Sequence, residues 1–391
     1  MSSTPNPHSG KLHWVQWPAE TEGETSFRGG ERLDSAQLVI ASHDVTEVAT
    51  RRIPDAVAVV HLPQGEPAAV KAALELTRQM VHEGLSVVWL QGPNQTSLLG
   101  TYPSDDDLSG IDRWIADQQT ACESLDVEDA RPRPLSESWV LLARSRRQAF
   151  ATVRQLTELG ATVVSRPAIA IGPVDDTAAL DAALDRLESY DWLVFSSVNG
   201  VQFLIERLQA FSGNLRRLDS VKLAAIGPGT AKALAEHQLR ADVVPDEYRA
   251  EALAEVLSNE AAGKRFLLAR TSRGREVLAE QLLAAGADVE QVVVYQSTDV
   301  RPTKTQLRPV AQLLDTGRID WTMVTSTAIA RSLDRLFGRQ LDNTRLAVIS
   351  PVTTAALCEL GHEPAVEAKQ YTLDGLIEAM VAARDSDDKL I

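Results

Sequence analysis

Tyr190-Asp191-Trp192-Leu193-Val194-Phe195-Ser196-Ser197 returns 129 residues later as Ile319-Asp320-Trp321-Thr322-Met323-Val324-Thr325-Ser326. In each copy an Asp and a Trp lead into an apolar run that ends on hydroxylated residues. Outward from this pair, Val140-Leu141-Leu142-Ala143-Arg144-Ser145 returns as Phe266-Leu267-Leu268-Ala269-Arg270-Thr271, a shift of 126. Lys222-Leu223-Ala224-Ala225-Ile226-Gly227-Pro228-Gly229-Thr230-Ala231 returns as Arg345-Leu346-Ala347-Val348-Ile349-Ser350-Pro351-Val352-Thr353-Thr354, a shift of 123 that Tyr248 and Tyr371 share. Three blocks in one order at a nearly constant offset mark a duplication. The period is far too long for a solenoid. Strands such as Trp192–Phe195 lack polar alternation, so both faces are covered, as in a parallel sheet. Amphipathic spacing near Ala149–Leu159 and Val277–Ala285 supplies the covering helices. The prediction is an α/β fold of two doubly wound, flavodoxin-like lobes.

Ligands of open parallel sheets sit beyond the carboxyl ends of the strands. Six such ends here are small, hydroxylated or basic: Arg144–Arg147, Ser196–Gly200, Gly227–Thr230, Arg270–Arg275, Thr325–Thr327 and Ser350–Thr354. Each precedes a helix, so backbone N–H groups and the positive helix end face the same space. Arginine adds a fork for carboxylates. Such rims suit a large ligand carrying several anionic groups. Each feature also has a plainer explanation. Ser and Thr at these turns serve as helix N-caps, arginines can face solvent, and Tyr295 in Val292–Gln296 can be an ordinary strand aromatic. Gly227-Pro228-Gly229 lacks the third glycine and the Lys-Ser/Thr of nucleotide loops.

Composition bounds the rest. The chain has 391 residues, 44% hydrophobic and 24% charged, which excludes wholesale disorder and predicts two or three domains. Net charge is −15, of which −11 falls in residues 1–138, so nucleic acid is not the expected partner. No apolar run is long enough to span a membrane, and the opening residues show no export signal. Cys122 and Cys358 are far apart, which suits a reducing cytoplasm and excludes a disulfide framework. The seven histidines form no metal-ligand pattern. Residues 1–33 are read as a flexible lead, 34–100 as a small α/β segment, and 101–137 as an acidic linker. Within 34–100, strands are predicted at Leu38–Ile40, Ala56–Val60 and Ser86–Leu90, and a helix from Ala68 to His82.

Residues 139–384 resemble the uroporphyrinogen-III synthase family. The pieces that carry the resemblance are Leu141–Arg144, Tyr190–Val201, Ala225–Ala231, Val244-Pro245-Asp246-Glu247-Tyr248-Arg249-Ala250-Glu251, Val294-Tyr295 and Tyr371–Leu376. The resemblance implies lobe one at 138–171 and 300–391 and lobe two at 172–299, joined by a two-stranded connector near Ala168–Gly172 and Val294–Thr298. It implies a monomeric, cytoplasmic, cofactor-free cyclising hydro-lyase. Its small-molecule substrate is hydroxymethylbilane, which loses water, inverts its last ring (ring D) and closes. Tyr295 matches the tyrosine proposed to help the hydroxyl leave. Ser197, Thr230, Ser326 and Thr353 match hydroxyls lining the site, with Ser196 beside them, and Arg345 falls where a basic residue is common. Arg144 and Arg270 are added as substrate-binding residues from the repeat. Two departures stand out: Ala143-Arg144-Ser145 replaces a Thr-Arg-Pro ending, and Ser350 replaces a turn glycine. Residues 34–100 resemble the first half of the uroporphyrinogen methyltransferases, through Glu83-Gly84-Leu85-Ser86-Val87-Val88-Trp89-Leu90-Gln91-Gly92. That segment lacks the glycine-rich opening and the catalytic second half, which implies a structural or docking role. The rival reading of the whole chain is a non-catalytic tetrapyrrole-binding sensor or scaffold.

Overall fold

The computed structural model describes residues 10–16, 30–92, 108–123, 133–273 and 276–388. Fourteen strands run through them: β1 Leu12–Gln16, β2 Leu38–Ala41, β3 Ala58–His61, β4 Val87–Gln91, β5 Trp139–Leu142, β6 Thr162–Ser165, β7 Ile169–Gly172, β8 Trp192–Phe195, β9 Lys222–Ala225, β10 Arg265–Thr271, β11 Asp288–Asp299, β12 Trp321–Val324, β13 Arg345–Val348 and β14 Val366–Glu367. The chain divides into two compact units, Met1–Ala170 with Asp299–Ile391, and Ile171–Thr298. β7 and β11 carry the chain across that division. No helix of the described residues is long and apolar enough to cross a membrane.

The smaller unit is built on a five-stranded sheet of order β7-β11-β10-β8-β9. Its strands are apolar on both sides because both sides are covered. Leu193 and Phe195 of β8 pack with helices Ala178–Asp185 and Val198–Ser212, whereas Trp192 and Val194 pack with helices Ala250–Ser258 and Val277–Ala284. Alternate side chains of one strand thus enter two separate cores. Trp192 stacks on Phe266 across the β8–β10 pair, with centroids 6.2 Å apart.

The larger unit repeats this plan in β6-β5-β12-β13-β14, the 2-1-3-4-5 order of flavodoxin-like sheets. The duplication extends to fine detail. The Asp191 carboxylate accepts from the backbone N–H of Arg265 at 2.9 Å, and Asp320 accepts from that of Trp139 at 2.7 Å. Each aspartate pegs the start of its own strand to the neighbouring one. The Arg265 N–H, followed by Lys264, holds the Asp191 carboxyl below the usual carboxylate range. A carboxyl whose folded-state value is depressed stabilises the fold above its unfolded value, and that contribution is lost as pH falls through the folded one. We therefore expect Asp191→Asn to lower the urea midpoint at pH 7 and to lose less than the parent between pH 5 and about pH 3. Parallel curves for the two proteins would refute this.

The described residues among 10–92 do not stand apart from this unit. Their parallel strands, in order β1-β4-β2-β3, continue the same sheet through one antiparallel junction, β3 against β6, with Val59 opposite Ser165 and His61 opposite Val163. The result is nine strands. The flexible lead expected over 1–33 contains β1, which pairs with β4 from Leu12–Val87 to Gln16–Gln91. The linker expected over 101–137 contains the helix Leu108–Glu123, whose Ile111, Trp114 and Ile115 are buried. Asp112 of that helix accepts from Arg78 and contacts His82, both on helix Pro67–His82. Gly30–Leu33 open the helix Gly30–Ser35, with Leu33 buried, and Leu135 is buried too; residues 1–9, 17–29, 101–107 and 124–132 of the two expected stretches lie outside the described residues, as do Asn94, Gln95 and Thr96.

Candidate active site

The carboxyl ends of the strands are formed by turns whose capping needs explain their residues. In the smaller unit, β8 is followed by Ser196, which is exposed, and Ser197, whose hydroxyl accepts from the Gly200 N–H at 2.9 Å and caps helix Val198–Ser212. The same hydroxyl lies 3.1 Å from the Tyr295 hydroxyl. Tyr295 is buried on β11 and its ring stacks on Phe203 of the capped helix, centroids 5.7 Å apart and 16° from parallel. A register shift in the β10–β11 ladder after Arg270 sets Tyr295 opposite Thr271. Such a bulge re-aims the side chains beside it. The Thr271 hydroxyl is buried there without a hydrogen-bond partner. Sequence reasoning did not single out Thr271, although the repeat aligns it with Ser145 at the rim.

The next turn follows β9. Thr230 is the third residue of helix Pro228–Ala235 and is buried. Gly227 before it has φ −175, an extended value open to any residue. Its reason is proximity: a Cβ would meet the Tyr248 side chain at 3.1 Å. The equivalent Ser350 has φ −163, so serine fits its turn without strain. Its hydroxyl lies 3.1 Å from that of Thr353, a buried residue at the third position of helix Pro351–Glu359. Ser326 ends the β12 turn and caps helix Thr327–Phe337 by accepting from Ile329 at 3.2 Å.

The arginines separate into distinct cases. Arg144 follows β5 at the carboxyl rim and makes no ion pair or hydrogen bond through its side chain among the described residues. Burial alone pushes its guanidinium down to about 10. Arg270 is engaged, paired with Glu276 at 2.6 Å and donating to Gln291 at 2.7 Å. Gly274 and Arg275 lie outside the described residues. Arg345 stands at the amino end of β13, away from the carboxyl-end turns, with its guanidinium 4.1 Å from the Trp321 ring centroid. Its repeat partner Lys222 sits over Trp192 in the same way, at 4.9 Å. The structure thus gathers Ser196, Ser197 and Tyr295 at one rim with Thr230, places Ser326, Thr353 and Arg144 at the other, and sets Arg345 apart from both.

A duplicated, doubly wound α/β chain with hydroxyl-lined strand ends and a buried tyrosine beside one of them has the architecture of the switch-point class. The family model described as "Uroporphyrinogen-III synthase HemD" matches residues 151–378. The chain belongs to that family, which makes it a cyclising lyase of porphyrin biosynthesis. A uroporphyrinogen-III synthase of Synechococcus elongatus is 31% identical over 258 residues, 63% of this chain and 96% of the relative. A putative uroporphyrinogen-III synthase of Methanothermobacter thermautotrophicus is 31% identical over 219 residues, 54% of this chain and 85% of its own. A solved structure of a mutant uroporphyrinogen III synthase from Thermus thermophilus covers 64% of this chain and 99% of its own, at 20% identity and a TM-score of 0.48.

Proposed function

We propose that this enzyme converts hydroxymethylbilane to uroporphyrinogen III, and that Tyr295 is the proton donor. The observation that carries the assignment is the Tyr295 hydroxyl, held 3.1 Å from Ser197 with its ring clamped on Phe203. The C–O bond of the terminal hydroxymethyl group breaks with help from the pyrrole nitrogen, so a mild acid suffices. Tyr295 gives its proton to the departing hydroxyl, which leaves as water. The carbon left behind bonds to the substituted position of the last pyrrole, and ring inversion through a spiro intermediate follows. A proton released on closure restores the tyrosine.

The harder task is geometric, since the chain's ends must meet at the substituted carbon rather than at the free one. Carboxylates are the substrate's handles. Ser197, Thr230, Ser326 and Thr353 offer hydroxyls for them, and Arg144 offers a guanidinium without a partner among the described residues. Arg270 and Arg345 contribute less, because Glu276 and Trp321 already engage them. Within this reading, lobe one is 138–171 with 300–391 and lobe two is 172–299, a division supported by the two compact units. Residues 34–100 serve structurally. The enzyme works without a cofactor, as a monomer, in the cytoplasm, the setting that its two distant cysteines suit. A purely tetrapyrrole-binding sensor has no support in the relatives.

The test is direct. Purified protein is mixed with hydroxymethylbilane, the products are oxidised, and the uroporphyrin isomers are separated. The type III isomer is expected in excess. Appearance of the spontaneous type I isomer alone overturns the proposal.

A further inference from the structure

Arg146 and Arg166 flank the junction of β3 with β6, at the carboxyl ends of β5 and β6. Both side chains are sealed from solvent, at 7% and 0% exposure. Each spends part of its guanidinium on the loop before β3. Arg146 donates through Nη2 to the carbonyls of Pro54 and Val57, and Arg166 through Nη1 to those of Asp55 and Pro167. Four N–H-bearing atoms remain buried and unpaired: Nε and Nη1 of Arg146, and Nε and Nη2 of Arg166. The nearest carboxylate, Asp55, stands 4.0 Å from Arg146 Nε, an ion-pair distance but not a hydrogen bond.

The charges do not balance either. Asp55 is the carboxylate that acts on both arginines, and the two guanidinium groups repel one another. His61 on β3 is held neutral, pushed down to about 3 by burial and then by Arg146. Burial also presses both arginines down to about 10 and raises Asp55. Two cations thus share one carboxylate in a closed, donor-rich site. Buried charge and unpaired buried donors are each costly. A water molecule could accept some of these N–H bonds, but it would leave the excess charge unanswered.

We propose that Arg146 and Arg166 bind a small monovalent anion of halide size, chloride, which seals the N-terminal strands to the first lobe. A single spherical acceptor can take several N–H groups from different directions, and its charge balances the second guanidinium. The proposal is independent of the catalytic reading.

The test melts the full-length chain between 1 and 100 mM sodium chloride, with sodium bromide and sodium gluconate in parallel. Once the anion exceeds its dissociation constant, each tenfold increase in chloride or bromide should raise the midpoint by about 2 °C. Gluconate, too bulky for the site, should give no such rise. Arg166→Met should abolish the halide response. Should that variant fail to fold, Asp55→Asn serves as the second arm: it removes the competing carboxylate, so the rise in midpoint should set in at a lower halide concentration than in the parent. Crystals grown in bromide should show an anomalous peak in contact with both guanidinium groups. Indistinguishable chloride and gluconate responses in the parent and in Asp55→Asn, or a water in place of the bromide peak, overturn the proposal.

Discussion

Tyr295→Phe is expected to lower the turnover number for hydroxymethylbilane about 100-fold, the lower range of what one positioned proton donor contributes. The substitution removes only the hydroxyl. The ring keeps its stack on Phe203 and its place opposite Thr271, so thermal stability should move by about 1 kcal/mol at most, the net worth of one hydrogen bond. The residual product is diagnostic: as the catalysed route slows, spontaneous closure takes a larger share and type I rises relative to type III. Ser197→Ala should act in the same direction but more weakly, with an added loss of about 1 kcal/mol from the helix cap. A Tyr295→Phe enzyme that keeps parental turnover and isomer ratio removes the tyrosine from the mechanism.

Deleting residues 1–132 is the second large effect. The matched family region begins at residue 151, and the Synechococcus relative covers 63% of this chain, so a truncated chain still contains the whole synthase region. Yet the first lobe here depends on what would be lost. The deletion bares the β6 edge and leaves Arg146 and Arg166 without the carbonyls of Pro54, Asp55 and Val57. It also strips Glu66 from Arg133 and Ser136, and Glu83 from Arg308. Unpairing one member of a buried ionic group alone costs about 3–5 kcal/mol. We expect a midpoint lower by about 10 °C or more, with edge-to-edge aggregation where the protein does not fold. A truncated chain that stays monomeric and melts within about 2 °C of the parent would refute this.

The duplicated lobes were legible because duplication preserves what packing requires. Asp191 and Asp320, Trp192 and Trp321, and Ser197 and Ser326 keep matching posts at both ends of matching strands. The strands expected within 34–100 were legible as short buried runs bounded by turns, and the helix by its apolar spacing. Their membership of the first lobe's sheet was not. The β3–β6 contact joins residues about a hundred positions apart and leaves no local pattern. β1 was hidden because Leu12–Gln16 is five residues long in a polar setting and pairs with a strand far along the chain. Helix Leu108–Glu123 was hidden by the acidic residues around its apolar face, which gave the stretch the composition of a linker. At the site, hydroxyl positions followed from turn chemistry. Arginine positions followed less well, since a long side chain can reach a neighbour that the sequence does not announce, as Arg270 reaches Glu276. Arg345 begins its strand, as its repeat counterpart Lys222 does, and the structure sets each over a tryptophan, a contact that the sequence does not announce.

The division of the chain at Ala170 and Asp299 also governs how it is made. A ribosome delivers the N-terminal strands first, and β1 through β6 can assemble while β5 still has one open side. Its parallel neighbour β12 is not yet synthesised, and the intervening stretch, Ile171–Thr298, closes around its own sheet in the meantime. The half-built first sheet must therefore wait, with an unprotected flank, for well over a hundred residues to emerge. A pause in translation within that interval would lengthen the most vulnerable period of this protein's life.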